Sequence, residues 1–407
     1  MTRRRTSGQE ETLAGVPGVV IVGGSLAGLQ TAEALRGEGW TRPITVVDSR
    51  DVPFHDRPPM SKDYLAGTVD SERLLLRDTE RLDGLDVTWE LGRTAVKVDV
   101  HRHAVTLDDG RDLAYGDLVV ATGVSPIVPP SMDVPAAHSL RRIEDADRLR
   151  GHLHPGAALI VIGAGFIGLE VAATFRKAGA RVDVVETSPT PLYRQAGPRV
   201  GDAVRRLHEE QGVAFHLGRK AVSVAQTDER VSVTLDDGTV LTGDALLVAV
   251  GSVPGTGWLD GSGLNTEDGL LTDERLRAGP AIHAVGDVAR WPHPLARRTV
   301  RTEHWTNAIE QAKYVAKQIA GTSDGAPFAG LPYFWSDQFD RRIQAHGFID
   351  AEAELEVIDG DLDSRSFAAV YVADGRATAV IGMNNPRQVL AGRRRVVADL
   401  AKQEVSS

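Results

Sequence analysis

The sequence predicts an α/β protein: two three-layer βαβ domains, the second inserted in the first, followed by a smaller α+β domain. Three observations predict it. The passage Ala158-Leu159-Ile160-Val161-Ile162 is an apolar run too short for a helix, and it feeds Gly163-Ala164-Gly165-Phe166-Ile167-Gly168 ahead of a helical apolar pattern. The same order opens the chain, with Val19-Val20-Ile21-Val22 leading into Gly23-Gly24-Ser25-Leu26-Ala27-Gly28. A late apolar strand, Ala281-Ile282-His283-Ala284-Val285, ends on Gly286-Asp287 with no glycine turn of its own to serve, so it returns to the first sheet.

Each Rossmann-like turn is a pyrophosphate site. In the second, Gly163 permits the tight turn and Gly165 lets the backbone approach the phosphates. Gly168 lets helix and strand pack closely, with the helix N-terminus facing negative charge. One such turn alone is a weak signal, since any glycine-bearing strand-helix corner resembles it. Here a further strand, Val182-Asp183-Val184-Val185, ends at Glu186, where the fold wants an acceptor for a ribose 2′-hydroxyl. A carboxylate there repels a 2′-phosphate and Thr187-Ser188-Pro189 supplies no cation, which favours NAD over NADP. In the first copy Ile44-Thr45-Val46-Val47 ends at Asp48, and Ser25 stands for the middle glycine, small enough to be tolerated and able to donate a hydrogen bond. Two complete turns suggest two dinucleotides.

Composition narrows the remaining choices. A length of 407 residues allows roughly two to four domains with sizeable cores. The formal net charge of −10 argues against nucleic acid as the general partner. No apolar segment approaches the ~20 residues of a membrane span. Arg3-Arg4-Arg5 precedes a polar stretch, Thr6 to Thr12, and reads as a disordered tail and not as an export signal, so a cytoplasmic protein is expected. Cysteine is absent, which removes thiol nucleophiles, active-site disulfides and cysteine-ligated metal sites together. The histidines show no metal-ligand spacing, and His101 and His103 read as surface positions of a strand-like run.

Between these landmarks, Asp56-Arg57-Pro58-Pro59-Met60-Ser61-Lys62 is a stiff corner: two prolines hold it extended, Ser61 offers a helix cap, and Lys62 is delivered rigidly. Leu85 to Val105 alternates as strands, Asp108-Asp109-Gly110 marks a hairpin, and Leu118-Val119-Val120-Ala121 closes on Thr122-Gly123. The pattern recurs with Asp236-Asp237-Gly238 and with Leu246-Leu247-Val248-Ala249-Val250 closing on Gly251. The expected domains are therefore 1–123 with 245–325, then 124–244 inserted, then 326–407. Arg301 to Ile319 reads as a helix and Gly321 to Gly330 as a linker. The last domain carries a hairpin around Asp374-Gly375 and a helix from Arg387 to Lys402.

Together these motifs resemble the FAD-dependent NADH:ferredoxin reductases, the putidaredoxin and rubredoxin reductase-like partners of cytochrome P450s and ring-hydroxylating dioxygenases. The likeness runs from Val19 to about Leu400. Its markers are the Asp56 to Lys62 corner, Ala121-Thr122-Gly123, Gly163 to Ala173, Ala284-Val285-Gly286-Asp287, Glu303 to Gln311, and Phe334-Trp335-Ser336-Asp337-Gln338. The resemblance implies FAD on the first turn (Gly23, Ser25, Ala27, Gly28), with Asp48 on the adenosine ribose, Asp287 on the ribityl chain, and Arg57 and Ala121 to Gly123 among the contacts. It implies Lys62 near the flavin N5 edge, paired with Glu170, and Glu303 and Trp305 at the pyrimidine end. Trp335 would cover the side where electrons leave. NADH would sit on Gly163, Gly165, Phe166, Ile167, Gly168, Glu170, Glu186 and Gly251. His55 stands where the family pattern has tyrosine and Met60 where it has leucine, which bears on the flavin potential and not on flavin binding.

The implied partner is a soluble, acidic iron-sulfur ferredoxin, and with no cysteine a dithiol relay is excluded. Arg290, Arg297, Arg298 and Arg301 follow closely on Asp287 and are candidates for the docking patch, against the plainer reading of a solvated loop. Arg393-Arg394-Arg395 reads as the exposed face of the last helix. Two other activities fit the same cofactors: a reductase of small acceptors such as monodehydroascorbate or quinones, and a redox-sensing flavoprotein of the apoptosis-inducing-factor type. A homodimer through the third domain is open.

Overall fold

The computed structural model describes residues 17–51, 54–227 and 230–402, so the Arg3-Arg4-Arg5 tail lies outside the described residues. The chain divides into two compact units. One comprises Met1–Phe54, Arg77–Gly123 and Pro254–Gly330, the other His55–Leu76, Val124–Val253 and Leu331–Ser407.

The first unit is built on a six-stranded sheet. Its strand order is Arg277–Gly279, Ile282–Ala284, Asp117–Val120, Val19–Val22, Ile44–Asp48, Thr88–Leu91, and every pairing but the first is parallel. Val19–Val22 is buried along its whole length, as a strand covered on both faces must be. The helices Leu26–Gly37 and Trp305–Ala320 pack on each other. The returning strand Ile282–Ala284 pairs with Asp117–Val120, as its sequence suggests. The helix expected from Arg301 instead begins at Trp305, because Arg298–Arg301 is claimed by an antiparallel hairpin with Ala289–His293. His101 and His103 are not in a strand: they occupy the turn between Ala95–Asp99 and Ala104–Leu107, where His103 takes φ 53° and stacks on Tyr115.

The second unit holds a five-stranded parallel sheet, in the order Val213–Leu217, Arg181–Glu186, Ala158–Ile162, Ala245–Val248, Ala137–His138. Ala245–Val248 pairs with Ala158–Ile162 here, and the first compact unit resumes at Pro254. The segment 55–76, expected with the first domain, also belongs to this unit. The C-terminal part is a five-stranded antiparallel sheet, Tyr333–Gln338, Arg341–Gly347, Arg376–Met383, Ser366–Ala373, Glu354–Asp361, backed by the helix Pro386–Ala401. One continuous apolar core joins the two sheets, with Leu159, Val161 and Val184 from the parallel sheet and Ile343, Phe367, Tyr371 and Met383 from the antiparallel one. The buried Tyr371 hydroxyl donates to Ala196 O at 2.6 Å across that core. Among the described residues no helix is long and apolar enough to cross a membrane, and no acidic, histidine or cysteine cluster could hold a metal.

Candidate functional site

The two glycine turns are near copies. Gly23 and Gly163 both have φ 103°, a conformation side chains rarely adopt, and an added Cβ would lie 2.4 Å from Ala121 O in one and 2.3 Å from Ala249 O in the other. A Cβ on Gly28 would lie 1.9 Å from Gly23 O, and one on Gly168 2.2 Å from Gly163 O. Only glycine fits these positions, so each helix N-terminus comes down onto its strand with backbone N–H groups facing the space where a pyrophosphate would bind. Ser25 caps the helix Leu26–Gly37 by position alone; its side chain makes no capping hydrogen bond. Gly165 takes the same place at Phe166–Lys177.

The two acids at the ends of the second strands differ in what they have left to offer. Glu186 accepts from Ala164 N at 2.8 Å, Ser188 N at 2.8 Å and Thr187 Oγ at 3.1 Å, which leaves acceptor capacity for a ribose hydroxyl. Asp48 is fuller. It accepts from Gly24 N at 2.7 Å, Arg50 N at 3.0 Å, and Arg50 Nε and Nη2 at 2.9 and 3.0 Å, so a ribose reaches it only in exchange for the Arg50 side chain. Burial raises the Asp48 carboxyl, but the Arg50 hydrogen bonds and charge outweigh it and hold the group below the usual carboxylate range. Arg50 is absent from the sequence reading. The signal was its place two residues after an acid, where a side chain can fold back on the carboxylate.

Elsewhere in the first unit, Thr122 donates from Oγ to Gly255 O at 2.7 Å, tying the end of Asp117–Val120 to the returning segment, and Gly123 O accepts from Gly255 N. Asp287 lies in the short turn Gly286–Val288, its carbonyl accepting from Arg301 Nη1 at 3.2 Å. Gly286 N donates to the buried Gln311 at 2.8 Å. Glu303 is exposed and accepts from Arg301, and Trp305 opens the helix Trp305–Ala320. Within that helix Asn307 Nδ2 and Gln311 Nε2 are buried donors with no partner among the described residues. Buried donors left this way are costly unless a ligand satisfies them, so this end of the sheet fits a polar cofactor.

In the second unit the Asp56 to Lys62 corner contains the 3-10 turn Pro58–Ser61. Ser61 is not a helix cap. Its hydroxyl donates to Glu170 Oε2 at 2.5 Å, and its carbonyl accepts from Thr174 Oγ at 2.8 Å. Those two bonds pin the corner to the helix Phe166–Lys177 and deliver Lys62 Nζ 2.8 Å from Glu170 Oε2. Glu170 Oε1 accepts from Ser336 Oγ at 2.7 Å, so the carboxylate is held by three side chains. Ser336 and Gln338 face inward on the strand Tyr333–Gln338, and period-two alternation puts Trp335 on the other face, stacked on Tyr333 with ring centres 5.9 Å apart. Phe334, on the inner face, meets Phe166 at 4.8 Å. Gly251 has φ 126°, beside Ile127. Arg57 and His55 lie in the same unit, where His55 bridges to Leu75. That Ser61 and Ser336 both bond Glu170 depends on contacts 109 and 166 residues apart, which no local pattern encodes.

Two pyrophosphate turns, each followed by an acid-ended strand, and a buried lysine-glutamate pair on the helix of the second turn define a two-nucleotide oxidoreductase. The family model described as "Pyridine nucleotide-disulphide oxidoreductase" matches residues 17–312, and "Reductase C-terminal" matches residues 333–405. The chain is 35% identical to rhodocoxin reductase of Rhodococcus erythropolis over 94% of its own length and 90% of that protein's. It is 34% identical to putidaredoxin reductase of Pseudomonas putida, covering 95% and 94%. The crystal structure of a covalent putidaredoxin reductase–putidaredoxin complex superposes with a TM-score of 0.90 at 33% identity, covering 94% and 93%. The chain belongs to the pyridine nucleotide-disulphide oxidoreductase family, in the branch with the reductase C-terminal domain. It is an oxidoreductase whose cofactors are FAD and a nicotinamide dinucleotide.

Proposed function

We propose that this protein takes hydride from NADH and passes single electrons to a soluble, acidic iron-sulfur ferredoxin that serves a P450 or dioxygenase, in the cytoplasm. Bound FAD supplies the conversion between a two-electron hydride and one-electron transfers. The chain's residues supply placement and charge. The Gly23 turn with Asp48 and Asp287 holds the FAD, with Ala121 to Gly123, Glu303 and Trp305 contributing. The Gly163 turn, Phe166, Ile167 and Gly251 hold the nicotinamide dinucleotide, and Glu186 accepts from its ribose and turns a 2′-phosphate away.

The observation that carries the reading is the Lys62–Glu170 pair. A lysine fixed by a buried carboxylate is a cation that need not reorganise as negative charge builds on a ring system during hydride transfer. Glu170 keeps Lys62 aimed and offers its edge to the nicotinamide amide, and Trp335 covers the side from which electrons leave. Because the chain has no cysteine, electrons cannot rest on an internal disulfide and must go to an outside acceptor.

The test is NADH-driven reduction of a panel of purified two-iron ferredoxins and rubredoxin, followed optically, beside a quinone and monodehydroascorbate. Fast reduction of at least one iron-sulfur protein supports the proposal. Fast turnover with a small acceptor and none with any iron-sulfur protein overturns it.

A further inference from the structure

Behind Glu170 the hydrogen bonds continue into the core. Ser336 Oγ, which donates to Glu170 Oε1, accepts from Gln338 Nε2 at 3.1 Å, and Gln338 Oε1 meets His208 Nε2 at 2.9 Å. All three residues are fully buried. The direction of every bond follows from chemistry. A carboxylate paired with Lys62 can only accept, so the single Ser336 hydroxyl proton points to Glu170 and Ser336 turns its lone pairs to Gln338. Gln338 must then present its NH2 group to Ser336 and its carbonyl to His208, and His208 must carry its proton on Nε2. His208 Nδ1 has no partner among the described residues, and the flanking groups are the rings of Phe215 and Phe339, so nothing there accepts a second proton. Burial also pushes the His208 imidazole down to about 4, which keeps it neutral.

We propose that His208, Gln338 and Ser336 form a one-way chain of donors ending on Glu170, and that they are positioning residues for hydride transfer. The chain ties the helix Tyr193–Glu210, the strand Tyr333–Gln338 and the helix Phe166–Lys177 to one carboxylate oxygen, leaving the other for Ser61 and Lys62. The role of the C-terminal sheet therefore includes setting the orientation of Glu170, beyond presenting Trp335. Since the chain acts through Glu170, the inference rests on the proposed role of the Lys62–Glu170 pair.

The experiment uses FAD-loaded protein with Glu170→Gln, Ser336→Ala and Gln338→Met. Gln338→Met is similar in size and removes both the donor to Ser336 and the acceptor for His208, so Ser336 is no longer held by the chain. Two quantities are read well below each variant's melting temperature: the rate of flavin bleaching by NADH in rapid mixing, and the flavin midpoint potential by dye equilibration. The expected result is bleaching slowed about tenfold in Ser336→Ala and Gln338→Met, a factor equivalent to about 1.4 kcal/mol. Both variants should shift the potential in the same direction as Glu170→Gln. Wild-type rate and potential in both, with Glu170→Gln impaired, overturn the chain alone. An unimpaired Glu170→Gln overturns the reading beneath it.

Discussion

Lys62 Nζ lies 2.8 Å from Glu170 Oε2, with side chains 15% and 7% exposed. Removing one partner of a mostly buried pair leaves an uncompensated charge, which costs about 3–5 kcal/mol, whereas removing both is often far cheaper. Lys62→Met is therefore expected to lower the urea midpoint strongly, and Lys62→Met with Glu170→Gln to recover much of the loss. Neither recovers NADH-driven flavin bleaching, because the fixed cation is gone from both. Equal destabilisation of the single and double variants would show that the pair is not coupled.

Cofactor choice follows from Glu186 and its neighbours. The carboxylate has acceptor capacity left for a ribose hydroxyl and nothing cationic at 187–189. Replacing repulsion by attraction should reverse the preference, so Glu186→Ser with Thr187→Arg is expected to raise kcat/KM for NADPH and lower it for NADH, each by at least about tenfold. Steady-state ferricyanide reduction with both nucleotides measures it. An unchanged NADH:NADPH ratio would place the discrimination elsewhere.

Ferredoxin docking is expected to depend on Arg297 and Arg298, which are exposed. Arg301, grouped with them from sequence, has other work: it bonds Asp268 Oδ1 at 3.0 Å, Glu303 Oε1 at 2.8 Å and the Asp287 carbonyl, with its side chain 14% exposed. Reversing Arg297 and Arg298 to glutamate should raise KM for an acidic ferredoxin, more at low salt than at high, and leave ferricyanide reduction intact. Arg301→Glu should instead disturb flavin retention, read as the fraction of FAD lost on gel filtration. Ferredoxin kinetics indifferent to Arg297 and Arg298 would remove this face from the docking proposal.

These contrasts mark where the sequence was legible. The glycine turns could be read because the constraint is local: a φ of 103° beside a carbonyl leaves no choice of residue, and the requirement sits within six positions of its strand. Glu170 with Lys62 came through a family pattern, not through spacing. Ser61 reads as a cap and Ser336 as a motif letter, because their bonds to Glu170 join distant segments: Ser61 from the corner against the helix Phe166–Lys177, and Ser336 from the antiparallel sheet where it packs on the parallel one. Gln338 was visible only as the last letter of the Phe334 to Gln338 marker, and His208 had no signal, since a buried histidine in an amphipathic helix reads as core. The boundary expected at 245 rests on an equally local signal. An apolar strand ending on glycine suits either sheet, and only the pairing of Leu159 with Ala245 decides.

Acid stability provides the last prediction. His138 is 8% exposed, its Nε2 has no partner among the described residues, and its ring lies 5.2 Å from that of His152. Burial first, then the charges of His152 and Arg148, push it down to about 4, against a smaller opposing pull from Asp145. In the unfolded chain a histidine titrates near about 6.5, so the unfolded state binds the proton first as pH falls. The native advantage of the neutral ring is complete above about pH 6.5, shrinks down to about pH 4, and is constant below that. The maximal slope is about 1.4 kcal/mol per pH unit for one such group. His138→Asn removes that titration. Between pH 6.5 and 4 its urea midpoint should fall less steeply than that of the wild type, while at pH 7.5 the two differ only by the packing lost. Parallel curves across that window would mean that His138 is protonated as easily in the folded protein as in the unfolded one.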